Sequence, residues 1–166
     1  MKNKLLFIFF CFLALQLPVR AQITNAEKIS EFSILPCGHL LSQAEAVFNL
    51  LERSNNSRLF LIYYEGRSYS AVKKGKQQIT NPVRGDALNR TKRISLYLTK
   101  YRKVPSEKIV LMDGGFRESY WVEVWIVPES ANPPQASPTL MANDIKFRKG
   151  KPLPVFDCEG SYRNFP

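Results

Sequence analysis

The sequence has a single histidine, His39, and only three cysteines in 166 residues. Structural zinc sites draw mainly on those two residue types in clusters, and no such cluster exists here, so neither a metal nor a cofactor is expected. The single glycine doublet, Gly114-Gly115, is too short to cradle a phosphate and leads into no helix. Paired carboxylates are equally thin. Asp86, Asp113, Glu118 and Glu123 are the residues an acid–base pair would draw on. A glycosidase needs two of them facing across a cleft. Glu123 instead alternates with Trp121 and Trp125, and Asp113 belongs to the turn chemistry of Asp113-Gly114-Gly115. The chain is therefore expected to be non-enzymatic. It also lacks a long apolar run. Leu5 to Leu15 spans 11 residues, whereas a helix needs about 20 to cross a bilayer.

That short run has another meaning. Lys2 and Lys4 precede it, and Val19-Arg20-Ala21 places small residues at −3 and −1 before Gln22. These are the three parts of a cleavable export signal over residues 1–21. Cleavage leaves no transmembrane anchor and implies a secreted or periplasmic protein of the cell envelope. The whole chain carries 24 Lys and Arg against 14 Asp and Glu, a net charge of +10. Loss of Lys2, Lys4 and Arg20 leaves 21 basic residues against the same 14, or +7. Outside the cytoplasm such charge meets wall polymers, lipopolysaccharide or lipid headgroups. Nucleic acid is not the expected partner.

Two cysteines remain after cleavage, Cys37 and Cys158. An even count in an oxidising compartment predicts a disulfide that ties the C-terminal tail to the start of the core. A paired Cys37 has no thiolate to offer His39. Residues 22–36 have no strong period and read as an N-terminal arm. Leu40, Ala44, Val47 and Leu51 have helical spacing, with Ser42 and Glu45 as an S-x-x-E start signal. Residues 58–65, RLFLIYYE, suit a buried strand closed by Gly66. Residues 67–78 read as a basic loop with room for a short hairpin. Asn81-Pro82 signals a helix start, and that helix runs to about Tyr101 with Ala87, Thr91, Ile94 and Leu98 on one face. Lys108 to Met112 reads as a short strand before the Asp113-Gly114-Gly115 turn. Tyr120 to Val127 alternates cleanly, with Val122, Val124 and Ile126 on one face. The strand–helix–strand unit from Leu59 to Met112 is expected to form a parallel crossover. The last strand is expected to pair antiparallel with the strand before it.

The expected fold is α+β, with helices packed on one face of a small mixed sheet and a disulfide-tethered tail. The core spans residues 37–128. A Pro-rich linker occupies 129–143, and the tail runs from 144 to 166 with one short strand at Asp144 to Arg148.

From Arg58 to Pro128 the chain resembles a family of uncharacterised secreted bacterial proteins. The residues that carry this are Tyr63-Tyr64-Glu65-Gly66-Arg67, the Arg84 to Leu98 helix, Lys108-Ile109-Val110, Asp113 to Glu118, Glu123 to Pro128, and Pro138-Thr139. The layout is also similar to the C-terminal, peptidoglycan-binding domain of outer-membrane protein A. That family's helix reads L-S-x-x-R-A-x-x-V, followed by Tyr-Leu. Arg90 falls at its arginine, Ile94 at its valine and Tyr97-Leu98 at its end. The resemblance implies that Arg90 pairs with a carboxylate of the wall peptide, as a guanidinium does bidentately. The family's aspartate after the first strand is absent, and Gly66-Arg67-Ser68 stands there. Arg90, Arg67, Asp86 and Arg117 are thus the candidate ligand-binding residues, for peptidoglycan or another anionic envelope polymer.

A different reading uses Tyr63, Tyr64, Trp121 and Trp125 as an aromatic sheet face for a protein partner, with Arg67 and Arg117 at the strand ends. Arg84-Gly85-Asp86 spells an adhesion tripeptide, and its predicted place inside a helix argues against display on a loop tip.

Overall fold

A computed structural model describes residues 25–54, 56–73 and 76–158. The export signal read from residues 1–21 lies outside them. The first strand, β1 (Glu27–Phe32), falls in the stretch expected to be an aperiodic arm. It is an edge strand, and only Phe32 of its residues is buried, so alternation is faint. Helix α1 (Cys37–Arg53) starts before the Ser42 signal, with Pro36 as its cap. The first helical bond runs from the Leu40 N–H to the Pro36 carbonyl. Glu45 is drawn off to Tyr97 and Arg102 instead of closing a capping box. Strand β2 (Ser57–Lys73) does not stop at Gly66; it runs on to pair with β3 (Lys76–Thr80) as a hairpin. Helix α2 (Asp86–Lys100) starts later than Asn81-Pro82. The next strand, β4 (Ile109–Ser119), passes through the expected Asp113-Gly114-Gly115 turn, and β5 (Trp121–Pro128) follows after one residue.

The sheet order is β1-β5-β2-β3, with β4 on the other flank of β2. The β2–β4 pair is parallel, as the crossover required, and Leu59 sits opposite Ile109. The expected β4–β5 hairpin does not form. Strand β5 pairs antiparallel with β2, from Ser57 opposite Pro128 to Tyr64 opposite Trp121, and its other edge takes β1. The chain therefore steps across β2 between Ser119, opposite Arg67, and Trp121, opposite Tyr64. Gly66 makes the step feasible. A Cβ there would fall inside the carbonyl group of Ser119 and against the Tyr120 nitrogen. The bond from the Tyr120 N–H to the Arg67 carbonyl, 3.1 Å, fixes the crossing.

Both helices cover one face of the sheet. Leu40, Ala44, Val47 and Leu51 of α1 and Ala87, Ile94 and Leu98 of α2 pack on Leu59, Leu61, Val122 and Val124. The α+β layout with helices on one face thus matches the alternation of β5. Cys37 and Cys158 form the expected disulfide, across 121 positions of sequence. The expected strand at Asp144 to Arg148 is instead a 3-10 turn at Ala142–Asp144 and one parallel bridge between Val83 and Arg148. From Arg148 the tail follows α2 toward Cys158. Leu153 bonds Asp86 and Asn89, Phe156 lies on Arg93, and Asp157 accepts from Lys100 and Tyr101. Among the described residues no helix is long and apolar enough to cross a membrane.

Candidate functional site

The Tyr120 step creates a cleft on the helix side of the sheet. Its walls are Phe32 at the end of β1, Ser33, Ile34 and Leu35 of the β1–α1 connection, Leu40 of α1, and Arg90 and Arg93 of α2. Tyr120 is its floor. Three bonds hold Tyr120. Its N–H donates to Arg67, its carbonyl accepts from the Ser33 hydroxyl at 2.8 Å, and its own hydroxyl meets the Thr91 hydroxyl at 3.2 Å. Burial pushes the Tyr120 phenol above its usual range, so it remains a neutral floor.

Arg90 and Arg93 stand one turn apart on α2, the spacing that puts two side chains side by side. The Arg90 guanidinium lies 5.7 Å from the Tyr120 ring centre. Arg93 lies 3.5 Å from the ring centre of Phe156, which the disulfide-tethered tail supplies. Neither arginine has a carboxylate within ion-pair distance among the described residues. The Nε of Arg93 is buried and has no hydrogen-bond partner there. Burial, and then the neighbouring Arg90 charge, lowers the Arg93 pKa to about 10. A pair of like charges held together without a counterion is electrostatically set to receive an anion.

The other expected ligand residues are placed differently. Arg67 is half-buried, and its carbonyl anchors the cleft floor. Asp86 is buried, and both its carboxylate oxygens accept backbone N–H groups, from Val83 and Leu153 at 2.8 Å each. That use also removes Asp86 from any display of the Arg84-Gly85-Asp86 tripeptide. Gly85 and Asp86 sit at the start of α2, not within a helix interior. Arg117 serves the opposite face of the sheet. It pairs with the buried Glu123 at 2.7 Å, bonds Ser137, and covers the Tyr64 ring at 3.7 Å. Tyr64 and Trp125 also donate to Glu123. The structure thus brings Arg90 and the Arg67 backbone together at Tyr120, and holds Asp86 and Arg117 elsewhere.

The aromatic face is divided. Tyr63 sits opposite Val122 on the helix side, whereas Tyr64 sits opposite Trp121 on the other. Tyr64 is fully buried, clamped between Gly114 and Arg117 and strapped by the Ser137 N–H. A Cβ at Gly114 would come within 2.5–2.7 Å of the Tyr64 ring, and Gly115 has a φ of +85°, so each glycine of the doublet has its own reason. Trp121 and Trp125 are half-buried.

Sequence reasoning reached Arg90 but not Arg93, Tyr120 or the Phe32–Leu35 wall. The Arg-x-x-Arg spacing from 90 to 93 was the available signal for Arg93. No family model, curated protein or solved structure matches the chain.

Proposed function

We propose that this protein is a non-enzymatic module of the cell envelope, exported and disulfide-stapled, that binds a carboxylate of peptidoglycan or of another anionic wall polymer in the Arg90–Arg93 cleft. One observation carries the reading: two adjacent guanidiniums line a cleft without a counterion among the described residues. A carboxylate entering it accepts two N–H groups from one guanidinium bidentately and neutralises the repulsion between the two. The disulfide and the lack of a spanning helix among the described residues are compatible with export. The likeness of α2 to the peptidoglycan-binding helix of the outer-membrane-protein-A domain supports the same ligand. The missing aspartate leaves the arginine pair, rather than an ammonium-holding carboxylate, as the binding element.

The test is co-sedimentation with purified peptidoglycan at two salt concentrations. The native chain is expected in the pellet, and Arg90→Ala is expected to weaken binding about tenfold or more, the scale of a lost charge-assisted pair. Unaltered pelleting of the variant would remove Arg90 from the site. Absence of pelleting by the native chain would remove the ligand.

A further inference from the structure

The tail carries a second basic surface that shares no residue with the cleft. Lys146, Arg148, Lys149 and Lys151 fall within six positions, and Arg84 stacks on Phe147 among them. All five are exposed. None is in an ion pair among the described residues, where the paired cations are Lys28, Lys100, Arg102 and Arg117. Two carboxylates close to them in sequence, Asp86 and Asp144, are committed to backbone. Asp86 accepts from Val83 and Leu153, and Asp144 accepts from Met141.

The backbone beneath these cations is fixed. Arg148 pairs in parallel with Val83, its N–H donates to Pro82 at 2.9 Å, and its Nε donates to Asn81 at 2.6 Å. Ile145 is buried on one side of the segment, and Leu153 is bonded on the other. Phe147 turns inward, edge-on to Phe116 at 6.1 Å and beneath the Arg84 guanidinium at 4.7 Å. Lys146 and Arg148 therefore flank a half-buried ring. Lys149 and Gly150 bend the chain after Arg148, Gly150 lies beside Val83 and Pro152 beside Gly85, so the cations gather in a patch along the start of α2.

We infer that this patch, Arg84 with Lys146, Arg148, Lys149 and Lys151, is a docking surface for a linear polyanion with repeating phosphate groups. Five exposed cations without an ion pair carry more charge than one small anion can neutralise, and successive charges of a polymer can meet several of them. Three of the five are lysines, compact point charges that bind phosphate without the planar fork of an arginine. The Phe147 ring in the patch is covered by Arg84, so it offers no platform for stacking bases. The polymer is accordingly a base-free one.

The test uses the full chain and three probes: long-chain inorganic polyphosphate, polygalacturonate, and a single-stranded oligonucleotide at equal charge. Polyphosphate is expected to bind most tightly, with log affinity falling linearly against log salt. The triple variant K146A/K149A/K151A removes side chains that make no hydrogen bond among the described residues. It is expected to lower the salt slope by about 2–3 and to weaken binding about tenfold or more at low salt, with an unchanged melting temperature. Arg90→Ala is expected to leave polyphosphate binding intact, which separates this surface from the peptidoglycan cleft. An unchanged slope in the triple variant overturns the proposal. Equal or tighter binding of polygalacturonate overturns the phosphate assignment, and tighter binding of the oligonucleotide overturns the base-free one.

Discussion

Tyr120 passes over β2 at Gly66 with no space for a methyl group between them. Gly66→Ala pushes a Cβ into the Ser119 carbonyl, which is backbone and has no rotamer to yield. We expect a loss of about 3 kcal/mol or more, read by urea denaturation, together with loss of the cleft floor. Arg93 presents the opposite balance. Its pKa is lowered to about 10, first by burial, so it remains charged in the neutral range and that charge costs the fold stability there. The sign follows: between about pH 10 and its ordinary value the folded state holds fewer protons than the unfolded one, and stability rises with pH there. Arg93→Met keeps the packing on Phe156 and discards the charge. Its melting temperature is expected to rise by about 1–3 °C, while peptidoglycan binding falls. A lower melting temperature would instead make the Phe156 stack the reason for Arg93.

At the scale of elements, the start of α2 shows how a strand and a helix are joined. Gly85 has no capping side chain of its own. Glu65, on β2, reaches across and accepts from the Gly85 N–H at 2.7 Å and the Ala87 N–H at 3.4 Å. A carboxylate at a helix N-terminus is favoured by the exposed N–H groups and the macrodipole, and burial opposes it. Burial is the larger effect, and the Glu65 pKa is raised. A raised pKa means stability that is present at low pH and lost as pH climbs through it. Denaturation of the native chain minus that of Glu65→Gln is expected to show this loss above pH 4.5, and Glu65→Ala is expected to lose about 1–2 kcal/mol with its cap. A flat difference profile would mean that Glu65 is ionised in the fold at no penalty.

The same element explains what the sequence alone could reveal. The buried face of α2 was legible because Ala87, Thr91, Ile94 and Leu98 repeat at helical spacing. The two faces of β5 were legible because alternation is a local signal. The start of α2 was not, because its cap comes from 20 residues away. Gly66 was misread as a stop for a related reason: locally a glycine ends a strand, and here a segment more than 50 residues later requires it. Arg90 was legible as a helical arginine, but its cleft depends on Ser33 and Tyr120, which meet only through the sheet order.

Across the whole molecule the Cys37–Cys158 bond closes nearly all of the described chain into one loop, 121 positions long. The tail it secures touches α2 at Asp86, Asn89, Arg93 and Lys100, and Tyr101 just beyond its end. Most of these contacts are polar and partly exposed, and contacts of that kind hold little on their own. The bond confines the tail in the unfolded chain as well, and on the chain-entropy account a loop of this length contributes about 4–5 kcal/mol. The paired variant C37S/C158S is expected to lose stability on that scale in urea. It is also expected to be cleaved within residues 148–158 by limited proteolysis before the core is cut. Release of Phe156 would uncover Arg93 and leave Tyr120 and Arg90 in place, so peptidoglycan binding is expected to persist in the cut protein. Binding lost together with the tail would show that Phe156 orients Arg93 for the ligand, and would make the disulfide part of the site.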